Sequence, residues 1–205
     1  KSRLAGVLRP FLPLNVSWVA QSDLGTLTGA EAGGAPVGLR GDEILAAYYT
    51  NELILNFLHR HDPQPEIFSL YGDTLRALGA SVGVAASLRS FEIELLGLLG
   101  YALNFEYEAG TRQPLRAGQY YEYRQEQGAV PVTRSSGPMV FAGDVITAIR
   151  AQRFDDPPVL AAAGRLLREV IGHLLGGREL KSRKVLLELH RGRLSASEKR
   201  QAESD

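Results

Sequence analysis

Apolar residues recur at a period of two at the start of this chain and of 3.6 after its first thirty-odd residues. Leu12, Leu14, Val16 and Trp18 alternate with Pro13, Asn15 and Ser17, which predicts a half-buried strand. Asp23-Leu24-Gly25 supplies turn chemistry, and Leu24 to Ala32 returns as a second strand. Gly33-Gly34-Ala35-Pro36 is the boundary, because the period shifts there from two to 3.6. Asp42 then N-caps a helix running to His59 with Ile44, Tyr48, Leu55 and Leu58 inward, and Pro63 and Pro65 end it. A second helix covers about Glu66 to Leu78. The stretch from Ser87 to Phe105 is apolar around most of its circumference: Leu88, Phe91, Leu95 and Leu98 follow one face, and Ile93, Leu96 and Leu99 fill much of the rest. A narrow polar strip remains, Arg89, Ser90, Glu92 and Glu94, with Arg89 and Glu92 three residues apart and therefore neighbours. Gly100 takes the position after the helix where φ > 0 is wanted. Tyr120 to Arg124 and Ala129 to Thr133 read as a hairpin around Gly128. Short helices follow from Ala142 and from Asp156 to Leu175, and a basic helix follows Gly176-Gly177.

The fold class is thus α+β: a small strand-built N-terminal part over 1–35, a mostly helical domain with a β-hairpin over 36–195, and a polar tail over 196–205. No run of about eighteen apolar residues occurs, and the first residues lack the basic-then-apolar order of a signal peptide, so a cytoplasmic location is expected. With no cysteine in 205 residues, disulfides, thiolate nucleophiles and cysteine-ligated zinc are excluded. Net charge is zero, but its distribution is uneven. Between Gly176 and Arg193, six basic residues face two acidic ones, a local net of +4.

Catalytic signatures are missing: no nucleophile elbow, no Walker loop, no glycine-rich dinucleotide turn. The reading is therefore not an enzyme, with no cofactor and no metal. His59 and His61 are about 200° apart on a helix and cannot share a metal there. Asp155-Asp156 before Pro157-Pro158 is helix-entry chemistry. Glu52, inside an apolar run, must be paired or hydrogen-bonded, either as a buried switch or as a structural contact between helices. A hydrolase built on Glu52 and a histidine is the weakest reading. Arg89 either pairs with Glu92 at the surface, worth at most about 1 kcal/mol, or borders an apolar groove and binds a carboxylate through two parallel hydrogen bonds.

The wording of four blocks goes further. Leu88 to Phe105 (LRSFEIELLGLLGYALNF) resembles the central helix of the bacterial RecO family of recombination mediators, and Leu175 to Arg183 (LGGRELKSR) resembles the same family near its C-terminus. Arg9 to Leu14 (RPFLPL) is similar to a strand of the family's N-terminal OB-fold, and Tyr49 to Leu53 (YTNEL) is a further match. The resemblance implies an OB-fold β-barrel whose first strands lie upstream of Lys1, followed by the helical domain. Some members carry a four-cysteine zinc site, which this cysteine-free sequence cannot form.

For function, the resemblance implies a mediator in the RecF pathway of DNA repair. It would bind single- and double-stranded DNA, anneal complementary strands, act with RecR and allow RecA to load on DNA coated by single-stranded DNA-binding protein (SSB). It also implies capture of the acidic SSB tail, which ends in apolar residues and a free carboxylate. Arg89, Arg165, Arg168, Lys181 and Arg183 are the expected tail-binding cations, near Leu166 and Leu167. Lys1, Arg3 and Arg9 bracket the first strand, with Trp18 either stacking on bases or filling the barrel core, so these four are the expected DNA contacts. Arg40, Arg112, Arg116, Arg124 and Arg134 are eligible for phosphate. The alternative is a helical protein-protein adaptor with no DNA affinity of its own.

Overall fold

The computed structural model describes residues 3–20, 25–80 and 83–185. The predicted tail over 196–205, Lys1, and the part of the last basic helix beyond Val185 lie outside these. The chain divides into two compact units, Lys1–Arg40 and Gly41–Asp205.

In the first unit, a 3-10 turn Arg3–Gly6 precedes β1 (Leu14–Ala20) and β2 (Gly25–Ala32), an antiparallel pair with a register shift between Ser17 and Trp18. The two strands were expected, but the half-buried alternation was not found. Two strands alone pair through their backbones and cover neither face, so Val16, Trp18 and Val19 are exposed and Trp18 keeps 63% of its surface. Among the described residues the strands form a two-stranded sheet, and no barrel closes.

The second unit is built on α1 (Asp42–Phe57), α2 (Pro65–Gly79), α3 (Val84–Leu98), α4 (Gly143–Arg150) and α5 (Pro157–Leu174). An antiparallel sheet of order β4-β3-β5 joins them, with β3 (Tyr120–Arg124), β4 (Gly128–Val132) and β5 (Val140–Ala142). The hairpin and all five helices match the expected positions within a few residues. β5 is an addition, three residues long and therefore too short to show a period.

Two corrections concern α1. Its cap is Gly41, with Asp42 already inside the first turn. The buried face is Ala46, Ala47, Tyr49, Thr50 and Leu53, whereas Ile44, Tyr48 and Leu55 are exposed, Leu55 by 79%. α1 packs against both α2 and α3, and small residues let the helices approach closely. Leu55 instead lines an open apolar groove of about 520 Å³ between α1 and α2, with Ile54, Leu58, Ile67 and Phe68. On α3, Phe91, Leu95 and Leu96 are buried as the pattern implies, but Leu98 is exposed. Gly100 does have φ 83° after the helix, and the amide of Tyr101 reaches back to the Leu96 carbonyl at 2.8 Å.

Tyr121 ties the sheet to its loops. Its ring is wholly buried; its hydroxyl donates to Glu108 at 3.0 Å and accepts from the Arg116 amide at 3.0 Å. Thr111 donates to the other Glu108 oxygen at 2.9 Å, so the carboxylate on this loop is satisfied without a cation.

Candidate functional site: an arginine cluster around a buried carboxylate

The polar strip of α3 is not a surface strip. Glu92 is 1% exposed, held between α1 and α5, and Arg89 keeps only 16% of its side-chain surface. The two are bonded at 2.6 Å, from Arg89 Nη2 to Glu92 Oε1. Tyr49 on α1 donates its hydroxyl to the same oxygen at 2.6 Å. The expected weak surface pair is therefore corrected to a desolvated one. The reason is the place of the helix: α3 packs against α1, α2 and α5, and the side that carries Arg89 and Glu92 is among those covered.

More positive charge surrounds Glu92 than neutralises it. Arg168 of α5 and Arg183, beyond α5, both lie close enough to act on its charge, together with Arg89. Arg183 is half-buried and has its own pKa lowered, by burial first and by the neighbouring Arg168 second. Glu92 is pushed above the ordinary carboxylate range by burial, against the pull of Arg89 and the Tyr49 hydroxyl. Tyr49 is driven well above its usual value by burial and by the Glu92 charge. Two atoms in the cluster lack a hydrogen-bond partner: Arg89 Nε and Glu92 Oε2.

Backbone space is part of the site. A Cβ at Gly164 of α5 would lie 3.0 Å from Arg89 Nη1, so the guanidinium rests directly on the helix where α5 has no side chain. Gly164 and Arg168 are one turn apart and share that face of α5.

The last described segment is anchored by Glu52. Its carboxylate accepts the Lys181 amide at 2.8 Å and the Ser182 amide at 2.9 Å, plus the Ser182 hydroxyl at 2.5 Å. Residues 181–185 are helical, so Glu52 caps that turn from another helix. This is the structural contact, not a switch, and both oxygens are committed. Burial pushes the Glu52 carboxyl up, but the hydrogen bonds from Ser182 and Lys181 outweigh it and hold it below the usual range. Its contribution is thus present above about pH 4.5 and lost as pH falls through the lowered folded value. Glu52→Ala should cost about 1 kcal/mol at neutral pH, and urea melts should show the difference from wild type shrinking below pH 4.5. A difference independent of pH would remove the charged cap.

Of the expected tail-binding residues, the structure brings Arg89, Arg168 and Arg183 together and puts Lys181 on the Glu52 anchor. Arg165 is held elsewhere: its guanidinium stacks 4.6 Å above the Phe141 ring and donates to the Val140 carbonyl at 3.4 Å. Of the expected DNA contacts, Trp18 and Arg9 are exposed, and Arg3 lies in the first turn. Arg124 and Arg134 both pair with Glu122. Glu92 and Tyr49 went unrecognised as the centre of the site. The charged pair on a mostly apolar helix was the available signal for Glu92; for Tyr49 it was its place in the family-like block Tyr49 to Leu53, which says nothing of a bond to Glu92.

The helical unit carries the mark of a recombination protein, since the family described as "Recombination protein O C terminal" matches residues 39–184. Relatives named DNA repair protein RecO are similar over most of their length. That of Nitrosococcus oceani is 42% identical, spanning 95% of this chain and 80% of its own. That of Methylococcus capsulatus is 39% identical over 88% and 74%, and that of Coxiella burnetii 36% identical over 91% and 80%. The chain belongs to the RecO family. No helix among the described residues is long and apolar enough to cross a membrane.

Proposed function

We propose that this chain is a DNA repair mediator that captures the acidic, carboxylate-ended SSB tail on the arginine cluster of its helical unit and acts with RecR to let RecA load. The observation that carries the reading is three guanidiniums, Arg89, Arg168 and Arg183, gathered around a single carboxylate, Glu92. That arrangement leaves a local positive surplus beside a partly apolar surface. Exposed Ile44 and Tyr48 share one face of α1 with Glu52, which holds Lys181, and Val185 is exposed on the same segment. An apolar residue followed by a free carboxylate needs such a combination, an apolar slot edged by directional cations. Lys181 would meet the aspartates upstream, and Arg165 would flank the site at most.

DNA contact falls to the first unit, where exposed Trp18 suits stacking on single strands and Arg9 suits phosphate. Binding to single and double strands, strand annealing and remodelling of coated DNA then combine additively. Tail capture raises the local concentration of the mediator, and the basic surface competes for phosphate.

Titration of a fluorescent SSB-tail peptide tests the site. The wild type should bind at micromolar strength, and Arg168→Ala, Lys181→Ala and Arg183→Ala should each weaken binding by about 1–2 kcal/mol. A folded wild type that does not bind the peptide would sink the tail-capture reading. DNA affinity is measured separately across salt, where phosphate binding falls steeply. A helical unit that binds peptide while the whole chain shows no salt-dependent DNA affinity would instead be an adaptor.

A further inference from the structure

We infer that Tyr49 and Glu92 are positioning residues for carboxylate recognition: the Tyr49 hydroxyl fixes Glu92, Glu92 fixes Arg89, and Gly164 leaves the gap in which the guanidinium lies ready for a free chain terminus. The inference rests on the tail-capture reading and deepens it, because it identifies what gives that site its preference for a terminal carboxylate over a merely apolar end.

The geometry has three links. Tyr49 Oη and Arg89 Nη2 converge on one oxygen, Glu92 Oε1, each at 2.6 Å. An arginine on its own samples many rotamers, and ordering it on binding would cost affinity; a guanidinium already bonded inside the protein has met that cost in folding. Glu92 takes one of its five N–H donors and the Nε donor is buried, so what the guanidinium can offer a ligand is the remaining N–H groups at its Nη end. Its Nη1 end is then set against α5 by the missing side chain of Gly164, 3.0 Å from where a Cβ would be.

Charge works in the same direction. The groups that face Glu92 are Tyr49 from α1, Arg89 from α3, Arg168 from α5 and Arg183 from the segment after it. Glu92 satisfies part of this charge without filling the cluster, and its buried position, 1% exposed, keeps it from acting as the ligand itself. A second carboxylate arriving from solvent meets Arg89 in a fixed orientation and Arg168 and Arg183 beside it.

The discriminating measurement uses two versions of the SSB-tail peptide, one ending in a free acid and one in a C-terminal amide, titrated against the full chain. The wild type should prefer the free acid by about tenfold. Tyr49→Phe, which keeps the ring and removes the hydroxyl, should cut that preference to about threefold while affinity for the amide changes little. Gly164→Ala is an independent route to the same result. Its new methyl would meet only Arg89 Nη1, at 3.0 Å, and no backbone, so the fold survives and the guanidinium is pushed out of its set position. A purely structural role would weaken both peptides in proportion and leave the ratio at its wild-type value. Variants that stay folded by circular dichroism and keep the full preference overturn the positioning role while tail capture stands. A wild type that binds both peptides equally also overturns it, and one that binds neither removes the tail-capture reading as well.

Discussion

Arg89→Ala should cost about 3–5 kcal/mol of stability at neutral pH, more than any other single charge deletion expected here. The loss does not come from the ion pair alone, since a pair of this kind roughly balances its own desolvation. It comes from leaving Glu92 buried, its second oxygen already without a partner, and with one hydrogen-bond donor fewer on the first. pH separates this from a simple packing defect. Glu92 has a folded value raised above its unfolded one, so the native state holds the proton more tightly, and this group's contribution declines as pH rises from about 4.5. Removing Arg89 takes away the strongest influence that lowers that value, so the penalty grows toward neutrality and shrinks toward pH 4.5. Urea melts at several pH values should show this slope, and Arg89→Ala/Glu92→Gln should recover more than half of the loss at neutral pH. A loss that is flat with pH and not recovered in the double variant would mean that packing, not charge, is what Arg89 supplies.

Gly143→Ala should cost about 3 kcal/mol, lowering Tm by roughly 6–12 °C for a unit of this size. The new Cβ would sit 2.3 Å from the Arg116 carbonyl oxygen and 3.0 Å from the Tyr121 ring. The first obstacle is backbone, which cannot swing aside as a side chain can. The Gly143 amide also donates to Gln119 at 2.9 Å, tying the start of α4 to the same loop. Relief would require moving Arg116, whose amide bonds the Tyr121 hydroxyl, and so would disturb the Glu108 network. Differential scanning calorimetry decides it. A Tm within 2 °C of wild type would show that the loop yields freely.

How much of this was legible in advance differs from element to element. α2, α3, α5 and the β3–β4 hairpin follow from periodicity, prolines and glycines, because those signals act within a few residues. α1 was legible as a helix but not in orientation. Ile44 and Leu55 are as apolar as Leu53, and which of them turns inward depends on where α2 and α3 press, with Ala46 and Ala47 making room. The site divides in the same way. Arg89, Arg168, Arg183 and Lys181 were legible through family resemblance and local charge, whereas the diversion of Arg165 onto Phe141 was not, since that ring is 24 positions away in the chain.

What the sequence determined by itself is local: the change of period near Gly33-Gly34, the nearly all-round apolar helix, the absence of cysteine and the cationic stretch after Gly176. What only the tertiary structure decided is which polar groups share one dielectric environment. Tyr49, Glu92, the α5 neighbours Gly164 and Arg168, and Arg183 come from four separate segments, and nothing in the spacing of those segments brings them together. Burying α3 on several sides does so, and it turns a pair that would be nearly neutral in water into a desolvated carboxylate ringed by arginines.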